Sequence, residues 1–416
     1  MDQPQHRGQN VLTNPSTASI CKNTAIKFNT LAERSQFLYF TLTFLLASLG
    51  MVFILLFPLL VFVGLRKVDH AIYLVFNSND WLELAIWLPI IAISTIVSCR
   101  IIGIKLPSYS GINVNNRTVP TLVKFVTEIQ QIYKLPKFHN IIISDQFILD
   151  VVKTPLFGLP LGSTNSLVIG LPVLQTLSPL HFQCALERKL GQYTKRRYFF
   201  SNWLYQLRYT WAQYNDVYAE RKHSGDQILS WFFKFYSPLY NAASTFTYNK
   251  VNLRTDRIAL QNMSDIDLLN MIEHTILSKT FLHKIYWPSI REMIVNDPQS
   301  SPHPYYRMTQ MFHKTLAKCD TQKLLTDALL SENASSCLEL SLQKRLDNIG
   351  YIRVSKPEID EITAGVQFLG QAYHSIVGLM DRYWITNRLP LMKLDNDDSA
   401  NKNSPIYTYG NIANNL

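Results

Sequence analysis

The chain has 416 residues, a net charge of +10 and a hydrophobic fraction of 47%. That length admits one large or two smaller folded units. The basic residues are spread along it without a glycine-rich phosphate loop, a zinc finger or an aromatic-basic RNA signature, which points away from nucleic acid and towards an anionic membrane surface. The cysteines Cys21, Cys99, Cys184, Cys319 and Cys337 are odd in number and none is spaced Cys-x-x-Cys. They suggest neither a disulfide framework nor a cysteine metal site, as expected of a reducing compartment.

Residues 1–30 are polar, rich in Asn, Gln, Ser and Thr, and read as a flexible leader. The run 37–65 then carries no charge. About 20 apolar residues suffice to cross a bilayer, so this run predicts a first membrane-spanning helix, with Pro58 placed to kink or shorten it. A second span is predicted over 81–104, with Trp81 and Trp87 suited to one interface and Arg100 able to snorkel at the other. Arg7, Lys22, Lys27 and Arg34 precede the pair, and Arg100, Lys105 and Arg117 follow it. The positive-inside rule places both ends in the cytoplasm and the hairpin outside.

Residues 105–394 read as one folded domain and 395–416, rich in Asn and Asp, as a disordered tail. In the domain, Leu122, Val123, Phe125, Val126 and Ile129 recur at helical spacing, with Pro120 in the first turn. Residues 140–144 and 166–170 read as strands, and 155–162, with two Pro and two Gly, as a loop. Ser178 caps a central helix that has Pro179 at its first position. Helical patterns follow over 199–218, 227–248, 266–294, 321–332 and 358–383. The fold class expected is therefore α+β, mostly helical, with a small sheet behind two membrane helices.

The central helix ends Glu187-Arg188-Lys189-Leu190-Gly191-Gln192. Zinc peptidases place His-Glu-x-x-His on such a helix, so that two imidazoles one turn apart share a face and the Glu serves as general base. The layout resembles the membrane-anchored zinc metallopeptidases of the HtpX-like family, related to the prenyl-protein CAAX endoproteases, over about residues 105–350. The helix opening Leu177-Ser178-Pro179 and the pair Leu190-Gly191 fit the family's His-Glu-Leu-Gly-His helix in register. That register puts Arg188 and Gln192 at the histidine positions and Lys189 at the glutamate. The family's later Glu-x-x-Ala-Asp helix matches the stretch 249–259, where Asn252 stands at the third ligand and Asp256 is the retained aspartate. The segment 341–350 is similar to the family's Pro-x-x-x-Arg-Leu-x-x-Leu-Gly.

The resemblance implies a gluzincin-type domain from which all three zinc ligands and the general base are gone, so that no catalytic or metal residue is assigned and no cofactor is expected. Arg188 and Lys189 are then either exposed charges or cations in the old cleft, one of them paired with Asp256. The basic run Lys195, Arg196 and Arg197 suits solvent at the helix end or anionic headgroups. None of the ten histidines forms His-x-x-x-His. The strand Ser166, Leu167, Val168, Ile169 and Gly170 corresponds to the one beside the family's cleft, a candidate peptide-binding edge or an ordinary core strand. The function expected is that of a multi-pass membrane pseudoprotease, in a bacterial inner membrane with its large domain cytoplasmic, that binds lipid and a protein or peptide partner but no nucleic acid. Two alternatives stand beside it: a divergent zinc endopeptidase in membrane-protein quality control, and a purely structural membrane protein.

Overall fold

A computed structural model describes residues 15–78, 81–104, 111–135, 137–156, 159–191, 193, 199–220, 226–260, 263–297, 301–318, 321, 323–326, 345, 347, 362–390 and 392. The described chain is mostly helical with one small mixed sheet. It divides into two units, one of residues 1–108, 154–164 and 197–249, the other of 109–153, 165–196 and 250–416. The block 105–394 is therefore not the single domain expected. Two aromatic helices from its middle belong with the N-terminal helices, because their apolar faces are buried there.

The first unit opens with α1 (Pro15–Arg34), α2 (Gln36–Ser78) and α3 (Leu82–Ile102). The expected flexible leader is helical from Pro15 onwards. Small residues decide this: Ala25 and Ala32, two turns apart on one face, are fully buried, and Phe28 meets Tyr39 edge-to-face at 6.2 Å. Residues 1–14 and 395–416 lie outside the described residues. Both α2 and α3 are long and apolar enough to cross a membrane. Pro58 does not end α2, which continues through it to Ser78. The two helices pack antiparallel. A Cβ on Gly64 would lie 2.4 Å from Ile91, and His70 Nδ1 sits 3.3 Å from Glu83, nearer the end where the chain joins the two helices.

The same unit takes in α7 (Phe199–Glu220) and α8 (Asp226–Ala243). Trp211, Tyr214, Tyr218 and Phe233 form its buried aromatic centre with Ile54, Phe57, Val97 and Ile101 of α2 and α3. Buried hydroxyls find backbone carbonyls, as they must where water is scarce. Tyr240 donates to Leu204 O at 2.9 Å and Tyr39 to Ala243 O at 3.0 Å.

The second unit holds β1 (Gly111–Val114), β2 (Asn140–Ser144) and most of a sheet of order β1-β2-β4-β3, whose β3 (Leu149–Leu156) and β4 (Leu159–Gly170) meet in residues 154–164, counted with the first unit. β1 is antiparallel to β2, while β2 runs parallel to β4 with Asn140 opposite Ser166 and Ser144 opposite Gly170. The predicted loop over 155–162 is instead mostly strand, since Leu156 ends β3 and Leu159 begins β4. Gly and Pro there mark a hairpin between strands rather than a long loop. Leu167, Val168 and Ile169 are all fully buried, the unbroken apolar run of a strand covered on both faces.

Helices cover this sheet. α4 (Pro120–Ile132) buries Leu122, Val126 and Ile129, as its spacing predicts. β4 passes at Gly170 into α5 (Leu171–Thr176), then α6 (Pro179–Gly191). A Cβ on Gly170 would stand 2.1 Å from the backbone oxygen of Gln146. Gly170→Ala must move the main chain, and a loss of about 1–3 kcal/mol is expected, read as a lowered urea midpoint. An unchanged midpoint would show that this close approach does not constrain the fold.

Beyond α9 (Thr245–Ala259) come α10 (Asp265–Phe281), a π-helical turn over Leu282–Tyr286, α11 (Trp287–Asn296) and α12 (Pro304–Lys318). Then come α13 (Ala364–Leu369) and, after one 3₁₀ turn, α14 (Tyr373–Asn387). The stretch 304–318 carried no helical expectation. Its start is fixed from far away: Asp381 of α14 accepts from the amides of Tyr305 at 2.8 Å and Tyr306 at 3.2 Å. These are the first-turn donors a helix cannot satisfy itself. Of the helix expected over 321–332, residues 321 and 323–326 are helical and the rest lie outside the described residues.

Candidate functional site

The centre of the second unit is α6. Its start follows the sequence closely: Pro179 occupies the first turn, and the amide of His181 donates to Ser178 Oγ at 3.2 Å. The helix is then buried almost throughout, from His181 to Gly191. Arg188 and Lys189 are each 6% exposed. They are not solvent-facing charges, and a buried cation requires a partner.

Arg188 finds one in Asp256, which is fully buried on α9. The Nε of Arg188 donates to Asp256 Oδ1, and Arg345 donates to both oxygens of the same carboxylate, at 3.2 Å from Nε and 3.3 Å from Nη2. Burial pushes the Asp256 carboxyl up, but the two guanidiniums outweigh it and hold the group below the usual carboxylate range. Lys189 is paired separately, its Nζ lying 3.0 Å from Oδ1 of Asp150 at the start of β3. That oxygen also accepts from the amide of Val151 at 2.7 Å.

Asp256 is the partner the sequence offered for one of the two cations, and Arg188 is the one that takes it. Arg345 and Asp150 are additions, since neither stood out as a site residue. Nothing local marks Asp150, and only the fold brings β3 against the end of α6. Leu190 is a fully buried core residue. Gly191 is needed for close helix packing, because a Cβ there would lie 2.9 Å from Ile258 of α9. Asn252 is half-buried one turn before Asp256, and its carbonyl accepts from Thr255 Oγ1 at 2.7 Å. Gln192 and the run Lys195, Arg196 and Arg197 lie outside the described residues.

The peptide-binding edge expected at Ser166, Leu167, Val168, Ile169 and Gly170 is corrected. β4 lies inside the sheet, between β2 and β3. β2 pairs with this segment on one side, and on the other the amide of Gly170 donates to Ile148 O at 2.6 Å. The segment is buried core, and no incoming strand could pair with it without displacing a neighbour.

A second polar cluster lies nearer the start of α6. Nδ1 of His181 sits 2.8 Å from Nδ1 of His274 on α10, so one ring donates and the other accepts. His274 is 1% exposed, its Nε2 has no hydrogen-bond partner among the described residues, and its ring stacks on Phe312. Burial, reinforced by His181 and His313, lowers its pKa to about 3, so it is neutral at physiological pH. Nearly two turns further along α6, Glu187 accepts from Gln183 Nε2 at 2.9 Å and from the Tyr133 hydroxyl at 3.2 Å.

Zinc requires several anionic or imidazole donors converging at about 2.0–2.3 Å. Among the described residues no group of three or more His, Cys, Asp or Glu is placed to hold a metal ion. The two carboxylates nearest Arg188 and Lys189, Asp256 and Asp150, already accept from Arg188, Arg345 and Lys189. The described side chains at the matched positions, Arg188, Lys189 and Asn252, are two cations and an amide, which supply no carboxylate or imidazole to a metal.

No family model, no curated protein and no solved structure matches this chain.

Proposed function

We propose that the protein is a membrane-anchored, non-hydrolytic member of the metallopeptidase-like design, and that it acts by binding a membrane protein or a partner protease. One observation carries the reading. Where the resemblance would put zinc and its general base, Arg188 and Lys189 are buried and turned onto Asp256 and Asp150, with Arg345 as a third cation. A divalent ion brought there would meet positive charge at hydrogen-bond range of each carboxylate it needed. α2 and α3 are the proposed anchor, and the cations flanking them favour a cytoplasmic position for the rest of the chain. Strand-by-strand capture of a peptide, if used, would need an outer strand, β1 or β3, rather than β4.

The test is elemental analysis of the full chain purified in detergent without chelator, together with hydrolysis of unfolded casein. The expected result is no stoichiometric zinc and no chelator-sensitive cleavage. Stoichiometric zinc accompanied by cleavage that a chelator abolishes would overturn the proposal in favour of a divergent endopeptidase.

A further inference from the structure

α8 is apolar on two faces. Its inner face carries Leu229, Phe233, Tyr236 and Tyr240 into the buried aromatic centre of the first unit. Its outer face carries Ile228, Trp231, Phe235 and Leu239, which are 39%, 68%, 59% and 40% exposed. At 100° per residue these four fall within one arc of about 80°, a continuous outward stripe. Lys234 and Gln227 flank the stripe on one side, and a lysine can lay its aliphatic stem along apolar surface while its ammonium reaches water. A soluble helix turns only its inner face apolar, so the outer stripe needs an occupant.

The neighbours of α8 on α2 identify it. Phe232 stacks on Phe53 with centroids 3.7 Å apart, and the Tyr236 hydroxyl donates to Leu46 O at 2.7 Å. Gly50 lies directly under the Tyr236 ring. At the far end of α8, Ala243 O accepts from Tyr39. α8 thus runs antiparallel beside α2 from Tyr39 to Phe53, about 20 Å at the helical rise. All of these α2 residues lie within the uncharged run 37–65. At the same depth α2 turns Leu45, Leu49 and Val52 outwards, each more than half exposed. The outer stripe of α8 is level and continuous with that apolar surface.

Resting on the reading of α2 as a membrane span, we infer that the outer face of α8 contacts lipid acyl chains, so that the membrane-embedded surface includes a helix from the middle of the sequence as well as the N-terminal pair. α8 is not hydrophobic enough all round to span alone. It enters the bilayer as the lipid-facing flank of α2.

Photocross-linking tests this. The photoreactive amino acid benzoylphenylalanine is placed singly in the full chain at Phe235, Trp231, Leu59 of α2 or Lys124 of α4, in vesicles of phosphatidylcholine and phosphatidylglycerol. Illumination followed by mass spectrometry then reads adducts to lipid or to protein. Phe235 and Trp231 are exposed, so the substitution leaves the core intact. Lipid adducts at 59, 231 and 235 but not at 124 are expected. Lipid adducts at 59 without any at 231 or 235 would overturn the assignment of α8 while leaving the span of α2 standing. Absence at 59 as well would remove both. Adducts from 235 to protein in place of lipid would show that a second copy or another part of the chain covers the stripe, which also overturns it.

Discussion

Replacing Asp256 with alanine is expected to cost about 3–5 kcal/mol of stability, the range for removing one member of a buried ion pair. The reason is asymmetric. The substitution removes one carboxylate but strands two guanidiniums, one of them, Arg188, with a side chain only 7% exposed. Asp256→Asn should be nearly as damaging, because an amide keeps the shape and loses the charge. Arg345→Met should be milder, since Arg345 is the more open partner and Asp256 keeps Arg188. Urea unfolding of the detergent-solubilised protein, followed by near-ultraviolet circular dichroism, measures the three. Equal midpoints for wild type and Asp256→Ala would mean that the carboxylate does not hold the α6–α9 contact together.

Acid should destabilise the protein well above the range in which carboxylates titrate. Folding lowers the pKa of His274 to about 3, chiefly by burial and then through His181 and His313. An unfolded histidine titrates near 6.5. A base whose folded pKa is depressed binds its proton more readily when unfolded, so its contribution is complete above about pH 6.5 and is lost as the pH falls towards 3. The limiting slope is about 1.4 kcal/mol per pH unit for one proton, or about 2 kcal/mol between pH 6.5 and 5. Asp256 acts in a different window. Its carboxyl is held low, so its contribution is present above the unfolded value near 3.9 and lost only below it. Urea midpoints at pH 7 and pH 5 should therefore differ in the wild type and differ less in His274→Gln. Identical pH dependence in the two proteins would remove His274 as the cause.

Much of this was legible in the residues. The uncharged run 37–65 and the stretch 81–104 gave the two long apolar helices, because bilayer thickness fixes a length that soluble helices seldom reach without charge. Ser178-Pro179 gave the start of α6, because capping is decided within one turn. Leu122, Val126 and Ile129 gave the buried face of α4 by period alone. The charge of α6 was also legible, since Arg188 and Lys189 are adjacent cations on one helix and the sequence offered Asp256 as a partner for one of them.

Other features had no local signature. That Lys189 meets Asp150, and that Arg345 joins Asp256 across 89 residues of chain, depends on packing between distant segments. The same holds for His181 and His274, 93 residues apart, which become a hydrogen-bonded pair only when α6 and α10 pack together. Ser166–Gly170 illustrates the limit from the other side. An apolar strand beside a buried helix reads equally well as edge or centre, because side-chain pattern reports which faces are covered and not which backbone groups are paired. Only the sheet order β1-β2-β4-β3 decides for the centre. What the sequence determined by itself was the length, period and end chemistry of individual helices, all set within a few turns of backbone. Which charge meets which, which strand is interior, and that α8 stands beside α2 with an apolar face turned outwards were decided by the tertiary structure, because each depends on groups brought within a few ångströms from far apart in the chain.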